Sequence, residues 1–230
     1  MIRLGLCDDE LWVHEQVQEY LCKHDFGTQI ELVCFTNGPQ LIEYEGDLPI
    51  LLLDICMPEL DGIAVGRIIK DKPEIGKIIM LTSAVERFEE AFEIEAYRFL
   101  SKPIVEEKFV KAMQDAIGTL IGNEYIEVFS GKIKYSFPQK EISYIGKMRS
   151  STEVIIQKNV FHSPKTLEEW YKQLDHRLFL QVHKSYIVNL SKIDRIEDKI
   201  YLKNGEIVPV AKRRRSELLK CYMQYDLRYR

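Results

Sequence analysis

The spacing of apolar residues changes character halfway along the chain. In the first half, short runs of branched apolar residues stand at 2–6 (IRLGL), 30–35 (IELVCF), 50–53 (ILLL), 77–81 (KIIML) and 97–100 (YRFL). Amphipathic stretches separate and follow them, at 10–24, 38–45, 62–71, 84–95 and 104–121. In the last of these, Val105, Phe109, Met113, Ile117 and Leu120 recur at helical spacing. Five strands alternating with five helices predict an α/β domain with a doubly wound, five-stranded parallel sheet. The solid run ILLL fits a strand covered on both faces, where no polar alternation is needed.

Glycines in GTLIGNE (118–124) mark the predicted boundary, with one domain over 1–121, a linker at 122–124 and a second domain over 125–230. Beyond it the runs are short, β-branched and aromatic: YIEVF, KIKYSF, EISYIGKM, TEVIIQ, FLQVHKSYIVNL, KIYL and EIVPVA, with turns at SGK, KNV and KNGE. Only 164–175 and 212–226 read as helices. The second domain is therefore expected to be mostly β. It lacks two adjacent helices joined by a tight turn, which argues against a helix-turn-helix reader.

Composition sharpens this division. The chain has 230 residues, 46% hydrophobic and 30% charged, with a net charge of -4. Residues 1–122 carry 11 Lys and Arg against 23 Asp and Glu, or -12; residues 123–230 carry 21 against 13, or +8. Two domains with different partners follow, the basic one suited to nucleic acid. No apolar run approaches the ~18 residues of a membrane span, and MIRLGLCDDE turns acidic too early for a signal peptide. Five cysteines (7, 22, 34, 56 and 221) form no CxxC pair and read as free thiols of a reducing compartment. A cytoplasmic protein with no membrane partner is expected.

In open α/β sheets, ligands bind beyond the carboxyl ends of the strands. The predicted strands end in Asp8-Asp9, Asp54, Thr82-Ser83 and Lys102-Pro103. Asp54 can attack phosphorus to give an aspartyl phosphate. Asp8 and Asp9 would repel it unless a hard divalent cation such as Mg²⁺ lay between them. Lys102 can neutralise phosphoryl oxygens as a point charge, and Thr82 can hydrogen-bond one of them. Taken singly, Asp8 and Asp9 could cap a helix and Thr82 could be an ordinary strand residue, but Asp8, Asp9, Asp54, Thr82 and Lys102 all fall at one rim. Their convergence is what points to phosphoryl transfer. A phosphatase with an aspartate nucleophile would want a second acid two residues on; Cys56 stands there, so a turnover enzyme is not expected.

These residues match a family. DD at 8–9, DICMPELDG at 54–62, TS at 82–83 and FLSKP at 99–103 resemble the flavodoxin-like receiver domain of two-component response regulators, over residues 2–121. The resemblance implies Asp54 as phosphoacceptor from a sensor histidine kinase. It implies Mg²⁺ held by Asp8, Asp9, Asp54 and the backbone carbonyl of Cys56. It assigns phosphate stabilisation and switching to Thr82, Lys102 and Phe99.

In the basic half, FLQVHKSYIVNLSKIDRI (179–196) and IYLKNGEIVPVAKRRR (200–215) resemble the LytTR-type DNA-binding domain. That family's small antiparallel sheets present loops to successive major grooves. Three segments are implied to meet duplex DNA: Arg149, Ser150, Ser151 and Thr152; His183 and Lys184; and Lys212, Arg213 and Arg214. Ala211-Lys212 departs from the family's Ser-Arg, so either Lys212 or Arg213 carries the base contact. Phosphorylation is expected to favour homodimers on paired promoter repeats. An RNA-binding antiterminator is the rival, and the β-rich texture of 125–210 disfavours it.

Overall fold

A parallel sheet forms the first half of the chain, with its central strands buried on both faces and its edge strands partly exposed. The computed structural model describes residues 1–83, 87, 89, 90 and 93–229. In it, β1 (Ile2–Cys7), β2 (Ile30–Phe35), β3 (Leu48–Asp54), β4 (Ile75–Thr82) and β5 (Arg98–Ser101) form a parallel sheet in the order β2-β1-β3-β4-β5. The chain moves outward from β1 to β2, then returns to β3 on the other side, so the switch in strand order falls between β1 and β3. Ile50, Leu51, Leu52 and Leu53 are completely buried, as a doubly covered strand requires.

Helices α1 (Leu11–Lys23), α2 (Gly38–Glu43), α3 (Gly62–Ile69) and α4 (Glu106–Leu120) occupy four of the five amphipathic stretches. The fifth, 84–95, includes residues outside the described set. The start of α3 is locked onto the sheet. Asp61 accepts a hydrogen bond from the amide of Ala64 at 2.8 Å, and the amide of Gly62 donates to the carbonyl of Ile55 at 2.9 Å. A Cβ on Gly62 would sit 1.8 Å from the carbonyl oxygen of Asp54, so only glycine allows the helix to start this close to β3.

The second half holds two antiparallel sheets. Seven strands, β6 (Tyr125–Ser130), β7 (Ile133–Pro138), β8 (Ile142–Lys147), β9 (Thr152–Ile156), β10 (Asn159–Ser163), β11 (Phe179–His183) and β12 (Tyr186–Asn189), run in the order β11-β12-β8-β9-β10-β6-β7. A smaller sheet joins β13 (Ile193–Ile196), β14 (Lys199–Leu202) and β15 (Ile207–Pro209). Helix α5 (Leu167–Gln173) starts with a reciprocal capping box between Thr166 and Glu169 and buries Trp170 completely. Helix α6 (Arg215–Tyr229) follows a 3-10 turn over Lys212–Arg214 and anchors through Leu218.

Three details depart from the sequence expectations. FLQVHKSYIVNL is a hairpin, β11 and β12, rather than one run. At KNV the turn is confined to Gln157-Lys158, where Gln157 takes a positive φ of 55°, and Asn159 already begins β10. Strand β13 went unforeseen because its middle residues, Asp194 and Arg195, are exposed at the edge of the small sheet and hide the alternation.

Contacts divide the chain into Met1–Thr119 and Leu120–Arg230. Ile121 is buried in the second unit's core with Ile126, Trp170 and Phe179. Residues 122–124 are tied to the same unit: Lys140 donates its amide to the carbonyl of Gly122 at 2.8 Å, and Gln139 to that of Glu124 at 2.9 Å. Among the described residues, no helix is long and apolar enough to cross a membrane.

Candidate functional site

The carboxyl ends of β1 and β3 bring Asp8 and Asp54 together, and the segment after β5 delivers Lys102 to them. Nζ of Lys102 lies 2.8 Å from Oδ2 of Asp54, 2.8 Å from Oδ2 of Asp8 and 2.9 Å from Oε2 of Glu10. Lys102, Asp8 and Asp54 keep 5%, 0% and 2% of their side-chain surface exposed, while Glu10 keeps 46%. Burial works against the Lys102 charge, but Asp54, Asp8 and Glu10 together hold the ammonium above its ordinary range. Burial pushes the Asp8 carboxyl up, opposed by hydrogen bonds from Lys102 and the amide of Glu10. Glu10 is held below the usual carboxylate range by Lys102 and then by Trp12.

Asp54 also accepts a hydrogen bond at Oδ1 from the amide of Cys56, at 3.2 Å. Thr82 ends β4 completely buried, and its carbonyl accepts from the amide of Lys102 at 2.8 Å. Phe99 on β5 is half-buried against the apolar cluster that contains Met80 and Ile94. Burial, reinforced by Asp8 and Asp54, pushes the neighbouring Cys7 thiol up to about 12, so it stays protonated.

The rim suits a hard cation. Ligand oxygens of Asp8, Glu10 and Asp54 all lie within 4.8 Å of one another, and Oδ2 of Asp8 is buried without a hydrogen bond, held only by the ion pair to Lys102. An all-oxygen anionic set of this kind matches Mg²⁺. Sequence reasoning missed Glu10. The signal was present in the acidic run Asp8-Asp9-Glu10, but only the first two were weighed. Asp9 is exposed and lies outside this group of three.

At one end of the second unit, three segments named from sequence converge. The amide of Lys147 donates to the carbonyl of Ser185 at 2.8 Å, joining the end of β8 to the β11–β12 turn. The amide of Ala211 donates to the carbonyl of Val182 at 3.0 Å, bringing 212–214 alongside. Arg149, Ser150, Lys184, Lys212 and Arg213 are exposed there, and Ser151 is half-buried. Arg214 is partly engaged, its guanidinium donating to Glu217 at 2.8 Å. His183 accepts at Nδ1 from the amide of Ser185 at 3.2 Å and leans on Tyr186, so it shapes the turn. Thr152 departs from the expectation. It is fully buried, and its hydroxyl accepts from the indole Nε1 of Trp170 at 2.9 Å and donates to the carbonyl of Lys165 at 3.0 Å. A side chain so engaged has nothing to offer a DNA surface; its alternation on β9 points it inward.

Comparison with known families agrees with both halves. The model of the response regulator receiver domain matches residues 5–114, and that of the LytTr DNA-binding domain matches residues 133–223. The chain belongs to the DNA-binding response regulators of two-component systems, with a receiver followed by a LytTR output. It is similar to the transcriptional regulatory protein YpdB of Escherichia coli K12, at 24% identity over 85% of this chain and 86% of the relative. It is also similar to the sensory transduction protein LytT of Oceanobacillus iheyensis, at 28% identity over 85% and 83%, and to LytT of Bacillus subtilis, at 24% over 96% and 98%.

Proposed function

We propose that Asp54 accepts a phosphoryl group from a sensor histidine kinase and that this controls how the basic end of the LytTR domain engages promoter DNA. The receiver is taken as residues 1–121 and the output domain as 125–230. The observation that carries the reading is the single Lys102 ammonium, 5% exposed, shared among Asp54, Asp8 and Glu10. A buried lysine poised over an acceptor carboxylate can follow the negative charge onto phosphoryl oxygens as they arrive. In the transfer, an oxygen of Asp54 forms the new bond to phosphorus while the bond from phosphorus to the donor imidazole nitrogen breaks.

Asp8, Asp54 and the carbonyl of Cys56 would hold Mg²⁺, with Asp9 or Glu10 completing the acidic set. The ion would neutralise charge on the phosphoryl oxygens. Thr82 and Phe99 are the proposed switch pair, and the phosphorylated protein is proposed to pair as a homodimer on promoter repeats. Arg149, Ser150, Ser151, Lys184, Lys212 and Arg213 are the proposed DNA-facing residues.

A small-molecule phosphodonor with Mg²⁺ should add one hydroxylamine-labile phosphoryl group, which peptide mapping should locate at Asp54. Full phosphorylation of an Asp54→Asn variant would overturn the assignment.

A further inference from the structure

One cavity in the second unit belongs to neither site. It holds about 430 Å³ between the Gln157-Lys158 turn, the 3-10 turn Leu190–Lys192, the β14–β15 turn and the start of β8. That is the size of a metabolite site. Nδ2 of Asn204 donates to the carbonyl of Gln157 at 2.6 Å, fastening two of the walls together. Strand β8 runs away from this cavity to Lys147, so the cavity and the DNA-facing turns lie at opposite ends of the same strand.

Its charges are unbalanced. Lys158, Lys192 and Lys203 line it against one acid, Glu141, which leaves two positive charges over. Lys203 donates to the carbonyl of Ser191 at 2.8 Å. Lys192 is half-buried, and among the described residues its ammonium has no hydrogen bond and no ion pair. Burial, then the nearby Lys203, keeps that ammonium below its ordinary range; Lys140 works in the same direction and Glu141 against it. A half-buried cation with no ion pair, in a lining where lysines outnumber the one acid, is costly to keep charged, and a bound anion removes that cost.

We propose that this cavity binds a phosphate monoester of metabolite size, with its phosphate held by Lys192 and Lys203. The two surplus positive charges match the roughly -1.5 to -2 of a phosphate monoester near neutral pH, whereas a single carboxylate would leave one over. Ser143 and Asn159 offer donors and acceptors for hydroxyl groups on the rest of the molecule.

The test uses the full chain carrying Asp54→Asn, without Mg²⁺, so that phosphoryl chemistry at the receiver rim does not contribute. Backbone amide resonances are followed while glucose 6-phosphate or inorganic phosphate is added, with glucose and matched sodium chloride as controls. Both phosphate probes should give saturable shifts at 157–159, 192 and 203–204, and the controls should not. Adding Lys192→Met should weaken binding at least tenfold, while Lys212→Met should leave it unchanged. Should Lys192→Met fail to fold, Lys203→Gln takes its place with the same expected loss. The proposal is overturned if neither probe gives saturable shifts at those residues, if the shifts fall only at Lys184 and 212–214, or if the cavity variant binds as tightly as its parent.

Discussion

With three carboxylates within 2.9 Å of one ammonium, removing Lys102 leaves Asp8 and Asp54 buried, facing each other and Glu10 without a counter-charge. Breaking a buried pair from one side costs about 3–5 kcal/mol. Lys102→Met should therefore lower the melting temperature sharply in EDTA, and Mg²⁺ should raise it by more than it raises the wild type. The ammonium's folded pKa is raised, so its contribution is fully present below the ordinary lysine value and is lost only as pH rises through the folded one. In the variant the destabilisation should shrink as pH falls from about 9 toward 6, because without Lys102 the already raised Asp8 carboxyl takes up a proton more readily and the repulsion from Asp54 is relieved. Asp8 behaves the other way at neutral pH. Its folded pKa is also raised, so its contribution is present below the unfolded value and lost as pH rises through the folded one. Asp8→Asn should melt no lower than wild type in EDTA at pH 7, yet lose the gain from Mg²⁺; a fall of several degrees in EDTA would contradict this. Trp12 offers a reporter, since it shares Glu10 with Lys102. Mg²⁺ should change its emission, and Trp12→Phe, which keeps the buried Trp170, should abolish the change. Asp8, Asp54, Thr82 and Lys102 were legible from where they fall at strand ends. Glu10 was not, because its role depends on a side chain that reaches back across the rim from the first turn before α1.

At the scale of elements, the central strands β3 and β4 could be read from solid apolar runs, since burial on both faces leaves no other pattern, whereas the edge strands β2 and β5 are partly exposed. The antiparallel half was harder. A two-residue hairpin at Lys184-Ser185 leaves no glycine or proline as punctuation, and the charged middle of β13 masks a strand whose ends alone are apolar. Thr152 shows the same limit: the family resemblance implied that it meets DNA with Arg149, Ser150 and Ser151, but one step along β9 inverts its direction. Thr152→Val should leave the Trp170 indole N–H unpaired and cost about 1–3 kcal/mol in denaturant unfolding of the output domain. Its DNA sequence preference should stay as in wild type; a changed preference at unaltered stability would restore Thr152 as a reader. Gly62 was visible only as part of a motif, while its reason is steric. Gly62→Ala should displace the loop that carries Asp54, slowing phosphorylation and lowering the melting temperature together.

On the scale of the whole molecule, the division of charge into -12 over residues 1–122 and +8 over 123–230 was readable from composition alone. It places phosphoryl chemistry and DNA contact on separate units, so Leu120–Arg230 alone should bind duplex DNA with an affinity that falls steeply with salt, because released counterions drive binding. Glycine signals a turn at 122, and Ile121, one residue before it, lies in the same buried cluster as Trp170 and Phe179. Where the two units communicate is the claim that matters most, and one measurement addresses it directly: the affinity of the full chain for its preferred promoter site, with and without phosphodonor and Mg²⁺, in wild type and Asp54→Asn. Phosphorylation should tighten wild-type binding by about tenfold or more, which is about 1.4 kcal/mol, and leave Asp54→Asn unchanged. Equal tightening in both proteins, or none in fully phosphorylated wild type, would contradict the account.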